Sequence, residues 1–312
     1  MIWNRLKKNG VLGINARNVS YIQKYNKRKY FPLADDKLLT KHLAHQVGIN
    51  VPELYATIQL TGELKNLAAV LQNHNDFVIK PACGSGGDGI LVITDTKPEG
   101  FVKVDGSVIT LSELKHHTAK ALHGLYSLGA HPDKVIIERR VIFDPIFEPI
   151  SYRGVPDIRI ISLMGVPVMA MLRLPTKASG GRANLHQGAI GAGIDLATGK
   201  TLRAVSGNNI VETHPDTGTK VSGVQIPYWE KLLDLGARAY ELTGLGYQGI
   251  DLVIDATLGP LVLELNARPG LNIQIANACG IENRLMLVEK HYKDLKTVED
   301  RVMFAKDNFG VN

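Results

Sequence analysis

The chain has 312 residues, 45% hydrophobic and 21% charged, which suits a folded protein of two or three packed lobes and excludes a sparsely apolar, disordered one. Its formal charge of +6 favours anionic partners without singling out nucleic acid. The two cysteines, Cys83 and Cys279, have no zinc spacing and suit a reducing, cytoplasmic setting, and the sequence shows neither a membrane-spanning apolar run nor a secretory leader.

Residues 1–34 read as a basic arm packed on the body, with the cationic run Lys24-Tyr-Asn-Lys-Arg-Lys29 as a solvated face and 11–14 as a small strand or a buried anchor. A helical lead-in occupies 35–75. Its first helix, 35–47, is capped by an aspartate, carries Leu39, Leu43 and Val47 at i, i+4 spacing, and stops at Gly48. A second helix covers 63–71.

The segment 77–80 is a strand, 84–89 a glycine-rich loop, and 90–94 the returning strand. The loop contains GxGxxG, but a β-branched run follows it where a dinucleotide fingerprint needs a helix, and no Lys-Ser/Thr follows for a Walker motif. Bare backbone N–H groups at Gly84, Ser85, Gly86 and Gly87 can fold over phosphates, with Lys80 meeting the same anion; the bland alternative is a plain turn beside a surface lysine. Beyond a short hairpin, Thr110-Leu-Ser-Glu113 opens a helix as a capping box. The histidines of that helix, His116, His117 and His123, read as solvated; His116 and His123 share a face with Lys120, which argues against a metal.

Strands follow at 135–138, 157–163 and 166–174, the last two joined at Met164-Gly165. Arg173, Lys177 and Arg182 surround a flexible Ser-Gly-Gly and suit a multiply charged phosphate, or form a mobile basic loop. An amphipathic helix spans 228–242. Two strands, 250–254 and 261–265, then fold back about 257–258, which sets Asp251 opposite Glu264 and aims Glu264 and Asn266 the same way. Two carboxylates that close call for a cation, and hard oxygen donors suit Mg²⁺. A short helix at 271–278 and a polar helical tail end the chain.

Lys80 with its loop, Glu138, Asp157-Ile-Arg159, Arg182-Ala-Asn184 and Glu264-Leu-Asn266-Ala-Arg-Pro-Gly270 occur in an order that resembles the ATP-grasp superfamily, most closely its RimK-type glutamate-ligase branch, over about residues 35–285. Asp36-Lys37-Leu38 and Asn184-Leu185-His186 add to the likeness. The resemblance implies an α+β ATP-grasp fold, with two lobes (76–140 and 141–290) clamping ATP between antiparallel sheets and a tail at 291–312. It implies Lys80 at an ATP phosphate, Glu138 and Arg139 at the adenine, Asp157 at the ribose, Arg182 and Asn184 near the phosphates, and Asp251, Glu264 and Asn266 on Mg²⁺, as two ions, with Mn²⁺ as a substitute. The RimK branch carries a separate domain ahead of the Asp-Lys helix, whereas 34 residues precede Asp35 here.

The expected function is an ATP-dependent carboxylate–amine ligase that acts through an acyl phosphate on glutamate, another amino acid, a peptide or another carboxylate. Arg182, with Lys177 or Arg173, would take up charge in catalysis, and Arg268, with Gly270 beside it, would meet the substrate. The alternatives are an ATP-grasp kinase and a nucleotide-binding or partner-binding module without chemistry, working beside another subunit that supplies the missing acceptor surface; the expected assembly is a homo-oligomer or a complex with such a partner subunit.

Overall fold

The computed structural model describes residues 2–84 and 86–311; Ser85 lies outside the described residues. Two compact units emerge. The smaller comprises Asp35–Lys41 and Val51–Val141, and the larger comprises the residues before Asp35, His42–Asn50 and everything from Ile142 onward.

The smaller unit is built on β1 (Leu54–Ile58), β2 (Phe77–Pro81), β3 (Leu91–Lys97), β4 (Gly100–Lys103), β5 (Val108–Ile109) and β6 (Val135–Glu138). They form one antiparallel sheet in the order β1-β6-β2-β3-β4-β5. Phe77, Ile79, Ile93, Val135 and Ile137 are fully buried with Leu114 of the helix Leu111–Leu122. Burying each large apolar side chain contributes about 1.5–3 kcal/mol. Thr110 and Glu113 close the expected capping box at the start of that helix. The lead-in 35–75 is not helical throughout: the extended exit after Pro52 becomes β1, which pairs with β6.

The larger unit holds β7 (Asp157–Leu163), β8 (Val166–Leu174), β9 (Ile190–Ile194), β10 (Thr201–Ser206), β11 (Asn209–Val211), β12 (Tyr247–Asp255) and β13 (Gly259–Asn266). Their order is β11-β10-β9-β8-β7-β12-β13, antiparallel throughout. One face is aliphatic, with Ile158, Ile160, Leu172, Ile250 and Leu252 buried. The helix Trp229–Thr243 packs on that face, close enough that a Cβ on Gly236 would sit 3.1 Å from Ile160 Cδ1. The tail is two helices, Glu282–His291 and Val298–Phe309. Arg301 ties the second to Glu241 at 2.9 Å.

The N-terminal segment is more than a surface arm. It is a run of short helical turns with Leu12, Tyr21, Ile22 and Asn26 buried and no strand at 11–14. Leu12 exchanges hydrogen bonds with the Gln274 amide at 2.8 and 3.0 Å. Asn26 accepts from the Tyr247 N–H and donates to the Tyr247 and Ala267 carbonyls. A side-chain amide bonding three backbone groups has no periodicity for a sequence to reveal.

Candidate functional site

Cross-strand registry puts the polar residues of the larger sheet on one face. Asp157 lies opposite Arg173, Arg159 opposite Asp251, Asp251 opposite Glu264, and Gly249 opposite Asn266. Side chains at every second position share a face, so Asp157, Arg159, Arg173, Asp251, Glu264 and Asn266 form a polar row across β8-β7-β12-β13. The facing of Asp251 and Glu264 is the register expected from the sequence.

The middle of the row is an ion network. Arg159 grips Asp251 with both branches, Nε to Oδ1 at 2.7 Å and Nη2 to Oδ2 at 2.5 Å. Arg173 holds Asp157 bidentately and reaches Asp251 Oδ2 at 2.8 Å. The Asn266 amide nitrogen lies 3.3 Å from the same oxygen. Planar guanidinium forks match carboxylates in this way, and buried charges need such partners. Burial alone would raise the Asp251 carboxyl, but Arg159 and Arg173 outweigh it and hold the group well below the usual carboxylate range. Asp157 goes the other way. Burial pushes it up to about 7 against the opposing Arg173, with the Asp251 charge adding to the rise.

In the smaller unit, Lys80 and Glu138 lie on adjacent strands, Lys80 Nζ 2.5 Å from Glu138 Oε1, both buried. Lys41, which sequence reasoning passed over, lies 2.7 Å from Oε2 of the same carboxylate. Lys37 donates to the Gly84 carbonyl at 2.7 Å. The loop needs its glycines: Gly86, Gly87 and Gly89 have φ of 68°, 82° and 75°, and a Cβ on Gly89 would meet the Tyr126 ring at 2.4 Å. The Arg139 N–H donates to the Glu53 carbonyl.

The remaining expected residues are more open. Lys177 and Arg182 are exposed, and the Asn184 side chain accepts from the His186 N–H as the cap of a short turn. Arg268 is exposed and stacks over the Phe31 ring at 4.9 Å, next to exposed Gly270. Arg17, for which the sequence suggested no role, donates to the Pro269 carbonyl at 2.7 Å. Gly249 leaves room for that same proline, since a Cβ there would stand 2.7 Å from Pro269 Cβ. His117 departs from the solvated reading: it is half-buried, 3.0 Å from the Gly89 carbonyl and against Tyr126. A row of alternating polar and apolar side chains could have flagged Arg159 as a site residue, but Lys41 carries no such signal.

The Cys83 thiol is not prepared as a nucleophile. Burial first, then the nearby Asp133 and Asp36 carboxylates, push the Cys83 thiol up to about 12, whereas Cys279 is exposed. Iodoacetamide at pH 8 is therefore expected to label Cys279 and leave Cys83 largely unmodified, as peptide mass mapping would show; equal labelling would refute the buried-thiol account.

The chain belongs to the sugar-transfer associated ATP-grasp family, whose model matches residues 16–290. The fold is accordingly the ATP-grasp fold, α+β with two antiparallel sheets. Comparison with the curated proteins gave no match. Solved structures similar to it include the ATP-grasp ligase PsnB with a minimal precursor (14% identity, TM-score 0.45, 87% of this chain and 63% of that one) and PsnB with precursor peptide PsnA2 and AMPPNP (14%, 0.45, 89% and 62%). D-cycloserine synthetase DcsG is also similar (14%, 0.44, 84% and 71%). The chain thus spans under two thirds of the PsnB length. No described helix is long and apolar enough to cross a membrane.

Proposed function

We propose that the protein is an ATP-dependent carboxylate–amine ligase, with glutamate, another amino acid or a peptide as one reactant. The observation that carries this reading is the polar row, in which three carboxylates, an amide and two guanidiniums converge on one face of the larger sheet of an ATP-grasp chain.

The donor set fits a hard cation: Asp251 and Glu264 stand in register, and the Asn266 amide reaches the Asp251 carboxylate. Among the described residues there is no cluster of three His, Cys, Asp or Glu side chains, so the amide oxygen is the third ligand in this reading. Two guanidiniums already occupy Asp251, and they repel a bare cation. A nucleotide polyphosphate offers them a better anion, so the site suits a metal that arrives with its phosphates. Mg²⁺ bound there would neutralise charge on the transferred phosphoryl group.

The rest of the chemistry falls to the chain's own side chains. Lys80 binds a phosphate oxygen, and the glycine-rich loop covers the phosphates and keeps water away. Arg173, Arg182 and Lys177 take up charge as the γ-phosphoryl group moves to a substrate carboxylate. Carboxylate oxygen bonds to phosphorus, ADP leaves, and an amine then displaces phosphate to give the amide. Arg268 lies beyond Asn266 and suits an anionic substrate group. Asp157 and Glu138 meet cations of the protein, Arg173 and Lys80, and we keep Asp157 for the ribose and Glu138 with Arg139 for the adenine once ATP has drawn those cations away.

A phosphate-release screen over paired amino acids and short peptides tests the ligase reading. Phosphate release that requires an amine supports it, while phosphate retained on a hydroxyl substrate supports an ATP-grasp kinase instead. Lys80→Ala is expected to weaken ATP binding by about 10- to 100-fold, the size of a lost charged hydrogen bond. Titration with a fluorescent ATP analogue checks this, and unchanged affinity would remove Lys80 from the nucleotide.

A further inference from the structure

Glu138 is a buried anion between two buried cations. The side chains of Lys41, Glu138 and Lys80 are 5%, 4% and 6% exposed, so water does little to screen them. The two lysines are held differently. Lys80 lies 2.5 Å from Oε1. Lys41 directs a hydrogen bond to the Pro52 carbonyl at 2.5 Å and faces Oε2 at 2.7 Å off the hydrogen-bonding direction, so that oxygen is balanced by charge rather than by a directed bond. Two ammonium groups share one carboxylate and leave one positive charge in excess. An excess buried charge opposes folding unless an anion completes the set.

We propose that Lys41 is the positioning residue of the nucleotide site: by sharing Glu138, it leaves the Lys80 ammonium with charge available to a nucleotide phosphate. The proposal rests on the reading that Lys80 meets the nucleotide. If Lys41 were absent, Glu138 and Lys80 would form a closed neutral pair with little attraction for a polyanion. The other charges around Lys41 are few. Glu138 comes from β6 and Lys80 from β2, and Lys37 lies one turn earlier on its own helix and bonds the Gly84 carbonyl. Burial pulls the Lys41 ammonium down to about 8, against the attraction of Glu138 and with the repulsion of Lys80.

Binding of a non-hydrolysable ATP analogue, followed by calorimetry, tests this without turnover. Lys41→Met is expected to weaken binding by about tenfold, as for one lost charge interaction in a desolvated site. In a Glu138→Gln background, where no carboxylate neutralises Lys80, the same Lys41→Met change should cost less than about threefold, whatever Glu138 itself contributes at the adenine. A lysine that merely filled space would cost the same in both backgrounds. Wild-type affinity should also fall as pH rises through about 8, where Lys41 loses its proton, and Lys41→Met should be flat over that range. Lys41→Gln, which keeps a donor for the Pro52 carbonyl, serves if the methionine variant does not fold. Wild-type affinity in Lys41→Met, or an equal loss from Lys41→Met in both backgrounds, would overturn the proposal while leaving the nucleotide site in place. A wild-type protein that binds no ATP analogue would remove both.

Discussion

Replacing Glu264 by alanine is expected to reduce Mg·ATP turnover by about 100-fold or more while leaving the fold intact. Glu264 is half-buried on β13, which lies at the edge of the larger sheet, so truncation removes no core packing. What it removes is one of two carboxylates that face each other across β12 and β13. Asp251 alone, already gripped by two guanidiniums, would present no net negative charge to a divalent ion. Circular dichroism should be unchanged, and Glu264→Gln should behave like alanine because an amide keeps the shape but not the charge. Phosphate release at the wild-type rate from a folded Glu264→Ala protein would sink the metal role of this residue.

Asp251→Ala is expected to be a folding defect as well as a catalytic one. Arg159 and Arg173, largely buried, would lose a shared counter-ion, and removing one partner from a buried ion pair costs about 3–5 kcal/mol. Urea unfolding of the larger unit measures this, and a loss below about 1 kcal/mol, typical of an exposed pair, would contradict the network as described. The pH dependence has two opposite parts. The Asp251 carboxyl is depressed, so its contribution is present above the ordinary aspartate value of about 3.9 and disappears as pH falls towards its folded value. Asp157 is raised to about 7, so its contribution is full below about 3.9 and is lost as pH climbs through about 7.

The β12–β13 hairpin was legible because its signals are local: two β-branched runs, a tight turn, and a period of two that fixes which carboxylates face each other. The glycine loop and the 111–122 helix were legible for the same reason, through residues that only certain backbone conformations or caps require. What escaped is non-local. The bonds of Arg159 to Asp251 span 92 residues and those of Asn26 to Tyr247 span 221. The basic composition of residues 1–34 suggested a solvated arm, yet its buried Tyr21, Ile22 and Asn26 bind it to the larger unit. His117 was misjudged because its partner, the Gly89 carbonyl, is a backbone atom in a loop. The finer branch of the family also lay beyond the motifs. Those shared by RimK-type ligases led to that branch, whereas the family model that matches is the sugar-transfer associated one.

The most direct measurement follows an oxygen atom. With the carboxylate substrate returned by the phosphate-release screen, labelled with ¹⁸O at both carboxyl oxygens, the protein should release inorganic phosphate carrying one ¹⁸O per amide formed, because the acyl phosphate hands that oxygen to phosphorus. Unlabelled phosphate, with both labels kept in the product, would contradict carboxylate activation and with it the ligase account.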